Sequence, residues 1–136
     1  MEAQDIRWKQ RFANFLKAHN LLAELYHREI ADLNIYECES YIHRFTLVFD
    51  LSWKTLNDYL QFQGINSTFT TPRAIIKEAF SAQVIQDGQI FIDMLLARNE
   101  LTHVYDEKRA NEFLVKIKSE FLPAVTGLIK YFEEQL

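Results

Sequence analysis

The chain has 136 residues and a net charge of −4, is 49% hydrophobic and 14% aromatic, and holds only three glycines and two prolines. So few turn formers argue against an all-β fold, which needs many tight turns, and exclude the glycine-rich loops that cradle phosphates. The acidic balance excludes a broad basic face of the kind that neutralises a phosphate backbone, so any contact with nucleic acid needs a local cleft.

The length fits one core, and residues 1–136 are read as a single domain. Met1-Glu2-Ala3-Gln4-Asp5 carries acid where a secretory signal carries basic and then apolar residues. No apolar run nears the roughly 20 residues of a membrane span. Cys38 is the single cysteine, which leaves no internal disulfide and no cysteine metal site. The expectation is a cytoplasmic protein with no membrane association, no metal and no cofactor.

Between Gln4 and Tyr26, Trp8, Phe12, Phe15, Leu16, Leu22 and Leu25 recur at helical spacing. Asn34 with Glu37 three residues later reads as a capping box, and it opens a second helix that ends before Gly64. The stripe Tyr41, Phe45, Val48, Phe49, Ser52, Trp53, Leu56, Tyr59 and Leu60 makes this the central helix. After a loop from Gly64 to Thr70, Thr71 supplies an N-cap and Pro72 a first helical residue. A short third helix follows through Ala74, Ile75, Ala79 and Phe80. Asp87-Gly88 starts a fourth helix that reaches Tyr105. Asp106 caps a fifth, running to the C-terminus through Phe113, Leu114, Ile117 and Phe121. Pro123 is expected to kink or break that helix, and Gly127 to loosen the same region. The pattern predicts an all-α protein, an up-down four-helix bundle with one additional short helix.

No His-Glu-x-x-His, paired-cysteine site or Gly-x-Ser-x-Gly elbow is present. His19 and His27 read as ordinary surface or half-buried residues, and His43, on the core helix, mainly as structural. At about 100° per residue, Arg98 falls amid Phe91, Met94, Leu95, Leu101 and Tyr105, in the middle of the apolar face. An arginine there snorkels to the rim, pairs with a buried carboxylate, or serves a site. Asn99 and His103, one turn apart, lie beside Ile92 and Leu96 on a second apolar flank. That flank meets another chain or belongs to a wide core. A guanidinium and an imidazole together suit phosphodiester chemistry, since the first grips phosphate by two parallel hydrogen bonds and the second moves protons near neutral pH.

Arg98-x4-His103-x-Tyr105 near the end of a bundle helix resembles the HEPN superfamily (higher eukaryote and prokaryote nucleotide-binding domains), and Asn99 directly after the arginine fits its usual pattern. Five ordered segments resemble the bacterial and archaeal nucleotidyltransferase substrate-binding proteins. These are Arg7 to Phe12, Arg44 to Lys54, Thr71-Pro72-Arg73, Arg98 to Asp106, and Phe121-Leu122-Pro123. The resemblance implies a homodimer encoded beside a minimal nucleotidyltransferase, as in toxin–antitoxin pairs where the HEPN protein is a metal-independent ribonuclease. There the partner silences it by complex formation or by attaching AMP to the motif tyrosine. Carried over, Arg98 and His103 are catalytic, Asn99 orients them, Tyr105 accepts AMP, and RNA or a nucleotide lies in the dimer groove. The alternative is a non-catalytic subunit that presents a nucleotide or other substrate to its partner enzyme. A purely structural dimer, with Arg98 an interface residue, is the third reading. The chain has neither the Gly-Ser nor the Asp-x-Asp of a nucleotidyltransferase, so it does not carry out that transfer itself.

Overall fold

The computed structural model describes residues 2–65, 71–100 and 107–136, and every regular element among them is helical. In chain order these are α1 (Glu2–Tyr26), a 3₁₀ turn (Ile30–Asp32), α2 (Ile35–Phe62), α3 (Pro72–Ser81), α4 (Gly88–Glu100), α5 (Glu107–Lys116), a π turn (Ile117–Phe121) and α6 (Leu122–Gln135).

The apolar spacing of α1 puts Trp8, Phe12, Phe15, Ala18, Leu22 and Leu25 on one buried face. Ala18 takes the place in this stripe that the periodicity offered to Leu16, which is only half-buried. The opposing face of α2 buries Tyr41, Phe45, Val48, Phe49, Ser52, Leu56, Tyr59 and Leu60, while Trp53 stays half-buried. Arg11 meets Asp58, and Arg44 meets Leu21 and Glu24, so α1 and α2 run antiparallel. Asp58 is buried, and its carboxylate accepts from Arg11 Nε at 3.0 Å.

Aromatic rings tie the C-terminal helices to this pair. Trp8 packs edge-on against Tyr59 at 5.0 Å between centroids, and Phe132 of α6 lies 5.3 Å from Phe12 and 5.4 Å from Tyr59. Phe121 stacks on Phe45 at 5.5 Å, with Phe113 of α5 edge-on to Phe45. Tyr41 is fully buried with a hydroxyl that lacks a hydrogen-bond partner among the described residues, and burial pushes its pKa to about 12. Buried residues from all six helices form one continuous core.

Local chemistry sets the helix ends. The capping box is present in full: Asn34 Oδ1 accepts from Glu37 N at 2.9 Å and Glu37 Oε1 from Asn34 N at 2.9 Å. The Asn34 N–H and the Arg28 guanidinium hold the Glu37 carboxyl below the usual carboxylate range. Thr71 Oγ1 accepts from Ala74 N, and Asp87 Oδ1 from Ile90 N. Pro123 does not break the last helix. The Leu122 N–H reaches back five residues to the Ile117 carbonyl, so a wider π turn takes up the distortion just before the residue without a donor. The chain then continues as α6 with Val125, Leu128, Ile129 and Phe132 on the core.

Helices α2 and α3 end in the same motif. Ile65 N donates to Leu60 O and Gly64 N to Gln61 O, with Gly64 at φ +79°. Val84 N donates to Ala79 O and Gln83 N to Phe80 O, with Gln83 at φ 62°. This 6→1 and 5→2 pairing needs a left-handed residue, which is free for glycine and strained for glutamine. Phe80, expected on the core face of α3, is 52% exposed, and the buried Val84 and Ile85 just after the motif fill the core at this end. Gly64→Ala is expected to lower stability by about 1 kcal/mol, whereas Gln83→Gly, by relieving the strain, leaves it equal or higher. Urea unfolding of the two variants measures both.

Candidate functional site

The buried stripe of α4 is Phe91, Met94 and Leu95, and one turn further on the same side stands Arg98. It does not snorkel away from the core helix. Its guanidinium carbon lies 5.7 Å from the centre of the Phe49 ring, and Nη1 lies 3.7 Å from Asp50 Oδ1. The Arg98 side chain is 29% exposed and that of Asp50 32%, so the pair sits at a rim where solvent still reaches both. At 3.7 Å the contact is an ion pair but not a hydrogen bond.

Three polar atoms in this neighbourhood are buried with no hydrogen-bond partner among the described residues: Arg98 Nε, Asp50 Oδ1 and Trp53 Nε1. Such atoms cost stability unless something satisfies them. Nearby hydroxyls are satisfied within their own helix, Ser52 by the Phe49 carbonyl at 2.6 Å and Thr55 by that of Leu51 at 2.7 Å. The Lys54 ammonium lies 5.8 Å from the Trp53 ring. On α2, His43 and Leu47 stand two and one turns before Asp50 on the same side, and both are exposed. His43 is therefore a surface residue, not the structural one its place on the core helix suggested.

Of the residues singled out from the sequence, Arg98 is half-buried against α2 and Asn99 beside it is exposed. His103 and Tyr105, with the expected last turn of the fourth helix and the Asp106 cap, lie outside the described residues. On the second flank of α4, Ile92 is half-buried and Leu96 is 45% exposed. His19 is half-buried, and burial draws its imidazole pKa below the ordinary value, while His27 is exposed. Asp50 was missed, although it has a signal: it is the only charged residue in the run Phe45 to Trp53.

Among the described residues no group of three or more His, Cys, Asp or Glu is placed to hold a metal ion. Nor is any helix among them long and apolar enough to cross a membrane. A cleft of about 320 Å³ lies elsewhere, between residues 84–87 and α6, and neither Arg98 nor Asp50 lines it.

A family model described as nucleotidyltransferase substrate binding protein like matches residues 10–134, a span that contains α2, α4 and the whole Arg98-x4-His103 segment. A crystal structure of a protein from Thermus thermophilus is similar over 89% of this chain and 97% of its own, with 24% identity and a TM-score of 0.74. That likeness speaks for the fold alone. No curated protein matches the chain.

A rim arginine and a sealed one differ in what their loss costs. Arg98→Ala is expected to lower unfolding stability by no more than about 1 kcal/mol, the scale of a solvent-screened pair with a ring contact. Removing one partner of a sealed ion pair costs roughly 3–5 kcal/mol, so a loss of that size in urea unfolding marks Arg98 as structural.

Proposed function

Because the chain belongs to the nucleotidyltransferase substrate-binding-protein-like family, we propose that it is the HEPN-type subunit of a two-gene, toxin–antitoxin-like nucleotidyltransferase system. In this reading residues 1–136 act as one cytoplasmic domain. Helices α1, α2, α4 and the joined α5–α6 are the rods of an up-down bundle, with α3 the short extra helix. Two copies pair, and the partner is a minimal nucleotidyltransferase encoded nearby.

The observation that carries the reading is Arg98. It stands at the solvent rim of the core helix, held by a ring and a carboxylate and hydrogen-bonded to neither. Nε is buried, and a guanidinium in that state keeps its terminal N–H donors for a phosphate. RNA then lies in the groove between two copies of the motif. The 2′-hydroxyl attacks the adjacent phosphorus, and the P–O5′ bond breaks to leave a 2′,3′-cyclic phosphate and a 5′-hydroxyl, with no metal required. Arg98 stabilises the charge developing on the phosphate. His103 takes the 2′-hydroxyl proton or protonates the leaving oxygen, and Asn99 orients the two. Tyr105 is the residue to which the partner attaches AMP.

The net charge of −4 favours a second reading, in which the same groove binds a nucleotide without cleaving anything and presents it to the partner enzyme. A protein with an acidic balance suits a partner-binding subunit at least as well as a nuclease.

Leu96 and Ile92 on the outer flank of α4 support pairing, and light scattering is expected to give a dimer at micromolar concentration, with an interface on the order of 1,200–2,000 Å². His103→Ala is expected to slow RNA cleavage, assayed with chelator present, by about 10²–10⁴-fold while leaving the melting temperature and the dimer intact. Wild-type protein that cleaves no RNA ends the ribonuclease reading and leaves the binding subunit.

A further inference from the structure

Three arginines among the described residues commit donors to neighbouring acceptors. Arg11 Nε bonds Asp58 at 3.0 Å, Arg44 Nη1 bonds the Leu21 carbonyl at 2.6 Å and Glu24 at 3.0 Å, and Arg28 bonds Glu37. Each of these ties two segments together and commits N–H groups to do so. Arg98 has a carboxylate neighbour as well, yet the 3.7 Å gap lies beyond hydrogen-bond range.

Asp50 is unusual in the same way. The spacing Asp-x-x-Trp occurs twice. In the first, Trp8 Nε1 donates to Asp5 Oδ1 at 3.1 Å. In the second, Asp50 Oδ1 and Trp53 Nε1 are both buried and neither has a hydrogen-bond partner among the described residues. The Asp50 carboxylate passes over the partner that its own helix offers and lies against the guanidinium of α4 instead. Phe49, its neighbour in sequence, covers the guanidinium from another side.

We propose that Asp50 is a positioning residue for Arg98: its charge orients the guanidinium across the α2–α4 contact without taking up an N–H donor, leaving the fork ready for a phosphate. The proposal rests on reading Arg98 as a phosphate ligand. Attraction between unit charges persists at this separation, whereas a hydrogen bond does not, so orientation and donor availability coexist. The phenyl face of Phe49 removes the remaining freedom to swing, because a guanidinium held over a ring keeps its plane.

The test uses the full chain, Asp50→Asn as the isosteric variant and Asp50→Glu as the charge-retaining one. The first readout is the NMR signal of the Arg98 Nε–H. Asp50→Asn is expected to shift it and speed its exchange with solvent at an unchanged melting temperature, and Asp50→Glu to restore part of its protection. The second readout is AMP binding by NMR titration. Asp50→Asn is expected to weaken it about ten-fold, the scale of one charge-assisted contact, and to add no further loss in an Arg98→Lys background. An unchanged Arg98 signal overturns the proposal. So does tighter AMP binding by Asp50→Asn, which marks Asp50 as a competitor for the arginine. Wild-type protein that binds no AMP ends the phosphate-ligand reading of Arg98, and the Nε–H signal then decides alone whether Asp50 orients it.

Discussion

The ring cluster of Trp8, Phe12, Tyr59 and Phe132 is the constraint on which the rest of the molecule depends. Burying each such ring contributes roughly 1.5–3 kcal/mol, and edge-on pairing adds about 0.5–1.5 kcal/mol more. Four rings meet here, from α1, α2 and α6, so the first and last helices touch each other directly and both pack on α2. Asp58 lies in the same helical turn as Tyr59, and its pairing with Arg11 satisfies a charge that would otherwise be left in the wall of the α1–α2 interface. With one face of α2 occupied by α1 and the C-terminal helices, the side carrying Phe49 and Asp50 meets the end of α4.

Helix ends then decide where that meeting occurs. The capping box starts α2 at Ile35, and the left-handed Gly64 stops it after Phe62. Gln83 closes α3 in the same conformation and turns the chain so that Val84 and Ile85 bury and α4 begins at Gly88. From there Phe91, Met94 and Leu95 can only face the core, and the helical repeat brings Arg98 to the level of Phe49 and Asp50. The π turn before Pro123 acts alike at the other end. By widening one turn it keeps Ile117, Phe121 and Val125 on the core side of a helix that a proline would otherwise interrupt.

Family membership and geometry bear on different parts of the function. The family match spans the motif and points to a nucleotidyltransferase-associated role, while the geometry concerns the half of the motif that ends at Glu100. In that half the arginine has an aromatic floor and a carboxylate beside it, an arrangement that neither composition nor the Arg-x4-His spacing contains. On the proposal that Arg98 binds a phosphate, a carboxylate beside it raises a question of sign, since it repels the anion that the arginine attracts. The balance falls to orientation when the carboxylate is too far to take a donor and close enough to hold the guanidinium still.

Much of the architecture was legible because its signals are local. The Asn34–Glu37 box, the Thr71-Pro72 start and the Asp87 cap each act within four residues, and the stripes of α1 and α2 repeat at the helical period, so sequence alone determined where helices start and which faces are apolar. It erred where depth depends on a neighbour. Leu16 gave way to Ala18, Trp53 stopped half-buried, and His43 and Phe80 turned out exposed, because periodicity defines a face but not how far the next helix covers it. Asp50 and Arg98 are 48 residues apart in the chain, and nothing local to either names the other. Their pairing follows from the return of α4 to α2, by way of α3 packed against both, the turn at Gln83 and the burial of Phe91 and Met94. The sequence marked Arg98 as out of place on an apolar face; only the tertiary structure decided that a carboxylate and a phenyl ring were waiting there, because side chains distant in sequence meet through the packing of whole helices.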